Sequence, residues 1–254
     1  MEDRQKRAWV VGASSGIGAA VALKLADAGY LVAASARNEK ALDLLATEAG
    51  GPVQAFPVDI LDRDAVERTF GEIEETMGPV DLAVFAAGIY LRDEPGRFDA
   101  ELVSKTFGVN LMGTSHCLEA VLAKMVPRRS GHVAIIASVS GYAGLPGGGV
   151  YGASKSALIT LAEAIYPELK EKGIAVSVIN PGFVRTPLTA RNDFPMPFMI
   201  SAEDAAERIV RGLQSMRFEI AFPKRMVFLL KLLRLLPYPL FFAVTKKMLR
   251  ADRG

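Results

Sequence analysis

The chain is poor in the residues that build disulfides and metal centres. It has one cysteine, Cys117, and two histidines, His116 and His132, among 254 residues. A single cysteine cannot close a disulfide within one chain, and so few soft ligands argue against a zinc site. We therefore expect no metal. Because side chains of adjacent helical residues point about 100° apart, His116 and Cys117 are expected to pack separately rather than form a catalytic pair.

Long apolar runs are also missing. No run reaches the roughly 18 residues that a membrane-spanning helix needs, and residues 1–7 are charged rather than apolar. We therefore expect neither a transmembrane helix nor a secretory signal. The expected location is the cytoplasm, with peripheral attachment to a membrane surface as the alternative. The net charge of +2 is small, and half of the residues are apolar.

Short apolar runs alternate with helical patterns along most of the chain. The runs are bounded by turn formers and rich in β-branched or small residues, as buried strands are; they cover 8–11, 31–34, 53–56, 82–87, 133–137 and 175–179. Helical patterns cover 16–28, 39–49, 62–77, 101–125 and 150–171. This alternation predicts βαβ crossovers, and hence an α/β fold with one doubly wound, Rossmann-type parallel sheet and helices on both faces.

A glycine-rich turn follows the first predicted strand. It contains Gly12, Ser14, Ser15, Gly16, Ile17 and Gly18 and leads directly into a predicted helix. Glycines let the backbone turn sharply and approach a pyrophosphate, while the free N–H groups of a helix start bind anions. The two serines add hydroxyl donors. The spacing differs from the general dinucleotide fingerprint, and a purely structural βα turn is the alternative.

The end of the second predicted strand bears on which cofactor is bound. Sites selective for NAD commonly place a carboxylate here for the ribose 2′-hydroxyl, whereas NADP sites use a cation for the 2′-phosphate. Residues 33–38 at this strand end contain no acidic residue, the first being Glu39, and Arg37 lies at the tip. A guanidinium binds phosphate through two parallel hydrogen bonds. The pattern favours NADP(H), with NAD(H) as the other cofactor; a solvated arginine is the alternative.

Ser138, Tyr151 and Lys155 form the candidate catalytic set. Tyr151 and Lys155 are four residues apart, which stacks them on one face of a helix. A cation one turn away from a phenol favours the phenolate and so lowers the pKa of the tyrosine. Ser138 follows a strongly apolar run, where its hydroxyl could donate to a substrate oxygen. Taken alone, the Tyr151–Lys155 pair could equally be an ordinary pair on a solvated helix.

Together with the glycine turn, these residues resemble the short-chain dehydrogenase/reductase family, in its form of about 250 residues. The resemblance covers roughly residues 8–222. It implies that Asp59 and Ile60 contact the adenine ring and that Asn110 kinks a long helix and holds a water of a proton relay. It also implies that the loop with Pro181, Gly182, Val184 and Thr186 binds the nicotinamide carboxamide. The alternatives are a turn role for Asp59, a polar helix face for Asn110 and a helix cap for Thr186.

Two positions depart from the pattern of that family. Where the family has two asparagines before an Ala-Gly pair, this chain has Phe85 and Ala86 before Ala87 and Gly88. The Ala-Gly pair keeps room for a cofactor, but the polar contacts of the asparagines must be replaced. Val11 also stands where the family usually has threonine. We expect these changes to affect the rigidity of the cofactor site more than its chemistry.

By resemblance, the chain transfers a hydride between a nicotinamide and a carbonyl or secondary alcohol. Tyr151 would be the general acid in reduction and the general base in oxidation. Lys155 would lower the pKa of the tyrosine and hold the nicotinamide ribose, Ser138 would polarise the substrate oxygen, and Asn110 would anchor a water. Homodimers or homotetramers are usual in the family. A non-catalytic NADP-binding regulator or membrane-associated scaffold is the alternative function.

The predicted lid over the substrate pocket covers residues 188–200. It contains Phe194, Met196, Phe198 and Met199 among prolines, a mixture that suits a bulky apolar substrate because methionines and rings adapt to irregular shapes. Packing of the lid onto the body of the domain is the alternative.

The C-terminal segment is unusual in combining positive charge with large apolar residues. Residues 224–250 contain seven basic residues and no acidic one, between many Leu, Phe, Met and Val. A basic amphipathic helix of this kind is typical of membrane surfaces; an oligomer contact or a wall of the substrate pocket is the alternative. Nucleic acid is not expected, because the apolar residues exceed what a phosphate-binding stripe needs. We therefore divide the chain into a catalytic domain, 1–222, and a C-terminal extension, 223–254.

Overall fold

The computed structural model describes residues 4–93, 96–190, 192 and 194–249. Its centre is one sheet of seven parallel strands in the order β3-β2-β1-β4-β5-β6-β7. The strands are β1 Arg7–Val11, β2 Leu31–Ser35, β3 Val53–Ala55, β4 Leu82–Phe85, β5 Gly131–Ile136, β6 Ile174–Pro181 and β7 Glu219–Phe222. The predicted doubly wound α/β fold is confirmed, and its strand order reverses between β1 and β4.

Helices cover both faces of the sheet. They are α1 Gly16–Asp27, α2 Glu39–Ala49, α3 Arg63–Met77, α4 Ala100–Phe107, α5 Thr114–Arg128, α6 Gly149–Glu171, α7 Ala202–Gln214, α8 Lys224–Arg234 and α9 Tyr238–Lys246. One apolar cluster joins the sheet to α3, α5 and α6, and a second joins it to α1, α2 and α7. Because both faces are covered, the strands are nearly continuous apolar runs, as their sequences predict.

The predicted helix 101–125 is interrupted in the structure. Between α4 and α5 the chain forms a π-helical turn, Gly108–Gly113, which contains Asn110. A π turn adds one residue per turn and changes the direction of the side chains that follow it. At Asn110, where a kink is expected, the structure shows a local widening of the helix.

Two elements of the sheet layer were not predicted from the sequence. Strand β7 is a four-residue edge strand that begins with Glu219 and buries only alternate residues, so it gives no continuous apolar run, and helix α7 precedes it. Helix α7 packs along α1 and so completes one of the two helical layers.

The C-terminal extension is helical as predicted. Helices α8 and α9 follow directly after β7 and meet each other through Leu233 and Phe241, which pack on Ala143. Arg250 and the rest of the C-terminus lie outside the described residues. In the described ranges, none of the helices combines the length and the apolar character that crossing a membrane requires. The boundary at residue 222 stays a prediction.

Candidate active site

The glycine turn lies where β1 passes into α1, at the point of the sheet where the strand order reverses. Its N–H groups at Gly12 and Ala13 both donate to the Ser35 carbonyl oxygen at the end of β2, at 2.7 and 3.1 Å. Gly12 has φ +86°, and a Cβ there would lie 2.4 Å from the backbone nitrogen of Ala87. Only glycine fits so close to the β4 loop. Crevices at such reversals are where open α/β sheets bind ligands.

The start of α1 offers an anion site. Helix α1 begins at Gly16, and the capping residue Ser15 makes no side-chain hydrogen bond to the first turn. Ser15 is exposed, whereas Ser14 and Ile17 are partly buried. Uncapped N–H groups and the positive end of the helix dipole are the features that bind phosphate groups. Gly18 also has a packing role, since a Cβ there would lie 2.1 Å from the Gly12 carbonyl oxygen.

The predicted nicotinamide loop touches the glycine turn. A Cβ at Gly16 would lie 3.0 Å from the Thr186 methyl carbon, so the two loops are in contact. Thr189 organises the loop: its hydroxyl donates to the Val184 carbonyl oxygen at 2.6 Å and accepts from the Thr186 N–H at 3.1 Å. Val184 is buried and pairs with Ile200 in an isolated parallel bridge. The structure therefore brings together two segments that are about 170 residues apart in the chain.

The residues predicted to face the adenosine end of a cofactor lie at the ends of β2 and β3. Arg37 is exposed beside Asn38, which caps α2 by accepting from the Ala41 N–H at 3.2 Å. Asp59 is exposed and accepts from the Leu61 N–H at 3.1 Å, which is the turn role given as the alternative for this residue. Ile60 is buried and packs against Gly113.

Ser138 lies just beyond β5 and contacts the end of β6. Its hydroxyl accepts from the Ser140 N–H at 3.1 Å and donates to the Pro181 carbonyl oxygen at 3.4 Å. The second bond is long and therefore weak. The Ser138 hydroxyl oxygen is therefore held by the Ser140 N–H, but its proton can turn from the Pro181 carbonyl oxygen to another acceptor.

Tyr151 and Lys155 lie one turn apart on α6, as their spacing predicts. The Lys155 ammonium nitrogen is 5.7 Å from the centroid of the Tyr151 ring and donates to the Ile136 carbonyl oxygen at 2.9 Å. Lys155 is buried, whereas Tyr151 keeps part of its surface exposed. The pair is therefore not an ordinary pair on a solvated helix.

Burial favours the neutral form of both groups and so shifts their pKa values in opposite directions. It raises the pKa of Tyr151 to about 12, although hydrogen bonding with Ser138 acts in the opposite direction. Burial lowers the pKa of Lys155 to about 8. The expected lowering of the tyrosine pKa by Lys155 is not seen in this structure, because burial dominates and the ammonium is directed at Ile136.

Asn110 is buried in the π-helical turn and is held by the loop that follows β4. Its side-chain oxygen accepts from the Ile89 N–H at 2.8 Å, and its amide donates to the Ile89 carbonyl oxygen at 3.1 Å. The amide also donates to the Ser154 hydroxyl at 2.9 Å. Asn110 therefore connects the β4 loop to α6 beside Lys155, which goes beyond the predicted role of holding a water.

Gly88 leaves a cradle between Asn110 and Lys155. A Cβ at Gly88 would lie 3.2 Å from the Asn110 side-chain oxygen and 3.3 Å from the Lys155 nitrogen. Ala87 and Gly88 are partly buried. The residues present thus fit a group that enters between the glycine turn, the Ala-Gly pair and α6, as a bound nicotinamide cofactor would.

The departure from the family pattern at Phe85 has a packing explanation. Phe85 is buried and meets Trp9 edge-on, with the ring centroids 6.1 Å apart. The backbone still joins the two strands, since the Ala86 N–H donates to the Val11 carbonyl oxygen at 2.8 Å. An aromatic contact and the backbone ladder connect β4 to β1 here.

The sequence reasoning missed several residues around the site. Tyr90 packs edge-on against Tyr151, at 5.2 Å between centroids, and its hydroxyl donates to the Gly147 carbonyl oxygen at 3.2 Å. A Cβ at Gly182 would lie 2.9 Å from the Met226 sulfur, so α8 covers the nicotinamide loop. An aromatic residue two positions after the Ala-Gly pair was an available signal for Tyr90; Met226 offered none.

The lid is only partly described, because residues 191 and 193 lie outside the described ranges. Phe194 packs on Phe183 with the ring centroids 5.8 Å apart. Phe198 is 45% exposed at φ +61°, a backbone region uncommon for bulky residues. At Phe194 the lid packs onto the body, which was the alternative to a substrate wall, and at Phe198 an aromatic ring stays exposed.

His116 and Cys117 do not form a reactive pair. Cys117 is fully buried, and burial raises the pKa of its thiol to about 12. His116 is hydrogen-bonded through Nδ1 to the Ile60 carbonyl oxygen at 2.8 Å. The thiol is therefore inert at neutral pH, and the packing role expected for these residues is confirmed.

Comparison with known proteins gives one consistent result. The family model described as short chain dehydrogenase matches residues 6–194. An uncharacterised oxidoreductase of Myxococcus xanthus is 35% identical over 246 residues, 96% of this chain and 97% of that protein.

Solved structures are similar over the same extent. A short-chain dehydrogenase/reductase from Burkholderia phymatum, in complex with NAD, has a TM-score of 0.83 and 25% identity, covering 91% of this chain and 94% of that one. Actinorhodin polyketide ketoreductase with NADPH has a TM-score of 0.77 and 26% identity, covering 86% of this chain and 95% of that one.

Proposed function

The chain belongs to the short-chain dehydrogenase/reductase family, and on that premise we propose that it is an NADP(H)-dependent oxidoreductase of carbonyl compounds and secondary alcohols. The observation that carries the proposal is the meeting of Ser138, Tyr151 and Lys155 beside the cradle at Gly88. These residues come from the end of β5 and from α6, yet Ser138 is hydrogen-bonded to Tyr151 and the Lys155 nitrogen lies 5.7 Å from the centroid of the Tyr151 ring. The similar ketoreductase holding NADPH supports the reaction type.

The cofactor would be held by four segments at one edge of the sheet. They are Gly12, Ser14, Ser15, Gly16, Ile17 and Gly18 in the glycine turn and at the start of α1, Asp59 and Ile60 after β3, Ala87 and Gly88 after β4, and Pro181, Gly182, Val184 and Thr186 in the predicted nicotinamide loop. When bound, NADP(H) supplies the hydride, and the protein supplies orientation and electrostatics. Arg37 supports the preference for NADP(H) over NAD(H), since an exposed guanidinium at the end of β2 suits a 2′-phosphate and residues 33–38 contain no carboxylate. The similar structure with NAD keeps NAD(H) as the second cofactor.

Four side chains would serve the proton transfer, and two of them, Tyr151 and Lys155, would carry the proton. In reduction, the Ser138 hydroxyl donates to the substrate carbonyl oxygen and fixes it beside the Tyr151 phenol, which gives up its proton. Lys155, protonated below its pKa of about 8, stabilises the resulting phenolate and returns a proton. Asn110 acts as a positioning residue, because it holds Ser154 and the β4 loop next to Lys155. In oxidation the same steps run in reverse.

The substrate side of the crevice favours an apolar molecule. Tyr90 lies against Tyr151, and the lid contributes the partly exposed ring of Phe198. Rings at these positions provide apolar contact area with few hydrogen-bond partners. We therefore propose a bulky aliphatic, polycyclic or aromatic carbonyl as substrate.

The direct test combines a substrate panel with a tyrosine variant. Purified protein is assayed by NADPH consumption against aliphatic, polycyclic and aromatic ketones and aldehydes. Tyr151→Phe is expected to lower kcat by at least about 10³-fold, since it removes the acid, while the Kd for NADPH measured by fluorescence titration changes little. Tyr166→Phe, on the same helix and packed on Phe218, is the matched control and should keep full activity.

Two outcomes would count against this function. Retention of most activity in Tyr151→Phe would remove the proton-transfer role. Tight NADPH binding without turnover of any carbonyl in the panel would instead favour the non-catalytic NADP-binding regulator.

A further inference from the structure

The C-terminal helices expose more large apolar side chains than any other described segment. We define the C-terminal apolar surface as residues of 228–249 whose large apolar side chains are 40–80% exposed: Phe228, Leu229, Leu232, Leu235, Tyr238, Leu240, Phe242, Val244, Met248 and Leu249. Over the described ranges these ten make up more than half of the exposed large apolar residues. A patch of this kind on a protein surface marks an interaction site.

The inner side of the two helices is already used. Leu233 and Phe241 are buried against Ala143, with Leu145, Leu230 and Leu236 packed around them. At the start of α8, Met226 packs on Gly182. The face of these helices that packs on the body of the domain is therefore already occupied, and the exposed residues form a separate, outer face.

An ion pair fixes the orientation of α8. Lys231 donates to the Glu219 carboxylate at 2.6 Å, and its nitrogen lies 5.1 Å above the Tyr142 ring. The Tyr142 hydroxyl donates to the same carboxylate at 2.7 Å. Phe228, Leu232 and Leu235 follow one another at helical spacing and so share the side of α8 that stays exposed.

Positive charge surrounds the apolar residues. Lys224, Arg225, Lys231, Arg234, Lys246 and Lys247 belong to the same two helices or their last turn, and residues 224–249 contain no acidic residue. Apart from Lys231, all of these cations are exposed without an ion pair among the described residues. The surface thus combines Phe and Leu side chains with Lys and Arg side chains.

The charge decides between the two occupants that an apolar surface could have. In a two-fold contact between copies of this chain the surface would meet itself, and the positive charges of both copies would face each other. An anionic lipid bilayer complements the charge and accepts Phe and Leu side chains at the boundary between headgroups and acyl chains. We propose that the C-terminal apolar surface docks this protein on an anionic membrane surface.

The proposal has a consequence for the active site. The inner side of the helices contacts the loop between Ser138 and Tyr151 through Ala143 and the nicotinamide loop through Gly182. Docking therefore holds these two loops a single helix layer away from the lipid. The inference itself does not depend on the proposed oxidoreductase activity, since its readout is binding to vesicles.

The test uses the full chain and sedimentation with extruded vesicles. Wild-type protein is expected to pellet with phosphatidylcholine vesicles that contain 30% phosphatidylglycerol; binding should be weaker with pure phosphatidylcholine and should fall as salt is raised. Leu232→Glu/Phe242→Glu should lower the partition coefficient by at least about tenfold. Leu44→Glu/Met216→Glu adds the same charge at two exposed apolar residues elsewhere and should bind as wild type does.

A second variant distinguishes loss of membrane binding from loss of folding. Lys246→Gln/Lys247→Gln changes only exposed cations and should lower binding to anionic vesicles at low salt while leaving the circular dichroism spectrum unchanged. The proposal is overturned if wild type pellets with none of the vesicles, or if Leu232→Glu/Phe242→Glu binds as tightly as wild type. Absence of vesicle binding, with a molecular mass by sedimentation equilibrium that falls in Leu232→Glu/Phe242→Glu, would assign the surface to a second copy of the chain and equally overturn it.

Discussion

Lys155 and Tyr151 carry pKa shifts of opposite direction, and both shifts come from burial. Burial disfavours the charged form of each group, so it lowers the pKa of the lysine to about 8 and raises that of the tyrosine to about 12. Keeping the Lys155 ammonium charged in its buried position lowers the stability of the fold, although the proposed proton transfer requires that charge. Such a conflict between stability and function is common at functional sites.

Removing the buried charge should stabilise the protein. Since the folded pKa of Lys155 lies below its ordinary value near 10.4, the unfolded chain binds more protons between about pH 8 and that value, and the stability of wild type rises with pH across this window. Lys155→Met lacks this titration. We expect its Tm at pH 7 to exceed that of wild type by roughly 2–5 °C, and the difference to shrink toward pH 10.

Scanning calorimetry at pH 7, 8 and 9.5 checks this expectation. Lys170→Met, on the same helix but exposed, is the control and should show no such pH trend. A lower Tm for Lys155→Met at pH 7 would mean that the bond to the Ile136 carbonyl oxygen outweighs the cost of the buried charge.

Arg37 is the residue on which cofactor preference should depend. Arg37→Ala is expected to raise the KM for NADPH by about 10–100-fold, because it removes one charge-assisted bidentate contact to the 2′-phosphate. The KM for NADH should change little, since NADH lacks that phosphate. Steady-state kinetics with both cofactors give the ratio. Lys40→Ala, three residues on and also exposed, is the control; an unchanged ratio in Arg37→Ala would remove the proposed role.

At the scale of elements, the π-helical turn Gly108–Gly113 determines how the β4 loop meets α6. The sequence predicts one helix over 101–125, because the apolar spacing continues through the turn. The structure inserts one wide turn there, and the Asn110 side chain satisfies both backbone groups of Ile89. Periodicity reports which face is apolar, but it does not report an extra residue within a turn.

Loss of the Asn110 side chain should therefore destabilise the fold. Asn110→Leu leaves the N–H and carbonyl groups of Ile89 without a hydrogen-bond partner. Each unpaired group costs about 1–3 kcal/mol of folding stability. We expect the free energy of unfolding in urea to fall by about 2–4 kcal/mol, with activity lost as well. Thr114→Val, which removes a buried hydroxyl bonded to a helix carbonyl, is the control and should cost under about 1 kcal/mol. Equal losses in the two variants would contradict this expectation.

Over the whole molecule, Glu219 connects three distant segments. Its carboxylate accepts from Tyr142 beyond β5, from Asn180 at the end of β6, and from Lys231 in α8. Burial raises the pKa of Glu219, but the hydrogen bonds from Lys231 and Tyr142 outweigh it, and the net pKa is lowered. This carboxylate joins the C-terminal extension to the loop that follows Ser138, the proposed catalytic serine.

Neutralising Glu219 should loosen that connection. Glu219→Gln is expected to lower the free energy of unfolding by about 1–2 kcal/mol at pH 7, since hydrogen bonds to a charged acceptor are replaced by neutral ones. Because the folded pKa is lowered, the contribution of wild-type Glu219 is present above its unfolded pKa and is lost as the pH falls through the folded pKa. The difference between the proteins should therefore disappear in acid.

Urea unfolding in steps from pH 7 down to pH 2.5 measures both effects, because the contribution of Glu219 is lost only below its lowered folded pKa. Glu207→Gln makes the same change in an exposed pair with Arg211 and should cost under about 0.5 kcal/mol. A Glu219→Gln protein as stable as Glu207→Gln at pH 7 would show that the extension is held by its apolar contacts alone. The same preparations, examined by sedimentation equilibrium, test the predicted homodimer or homotetramer.

Much of the fold could be read from the sequence, because local patterns specify it. Buried parallel strands need continuous apolar runs, and the turn after β1 needs glycine at Gly12, where a Cβ would lie 2.4 Å from the Ala87 backbone nitrogen. The spacing of Tyr151 and Lys155 likewise predicts one helix face. Strand β7 escaped prediction because it begins with a glutamate and only two of its four residues are buried, so it gives no continuous apolar run.

What the sequence by itself determined is the set of residues and the order of the elements that carry them. Only the tertiary structure decided the contacts between segments far apart in the chain: Gly16 with Thr186, Asn110 with Ile89 and Ser154, and Gly182 with Met226. It also decided the direction of the tyrosine pKa shift, since burial depends on everything packed around the phenol and not on the lysine one turn away. Spacing along a chain specifies local geometry, whereas desolvation and long-range contact exist only after the chain has folded.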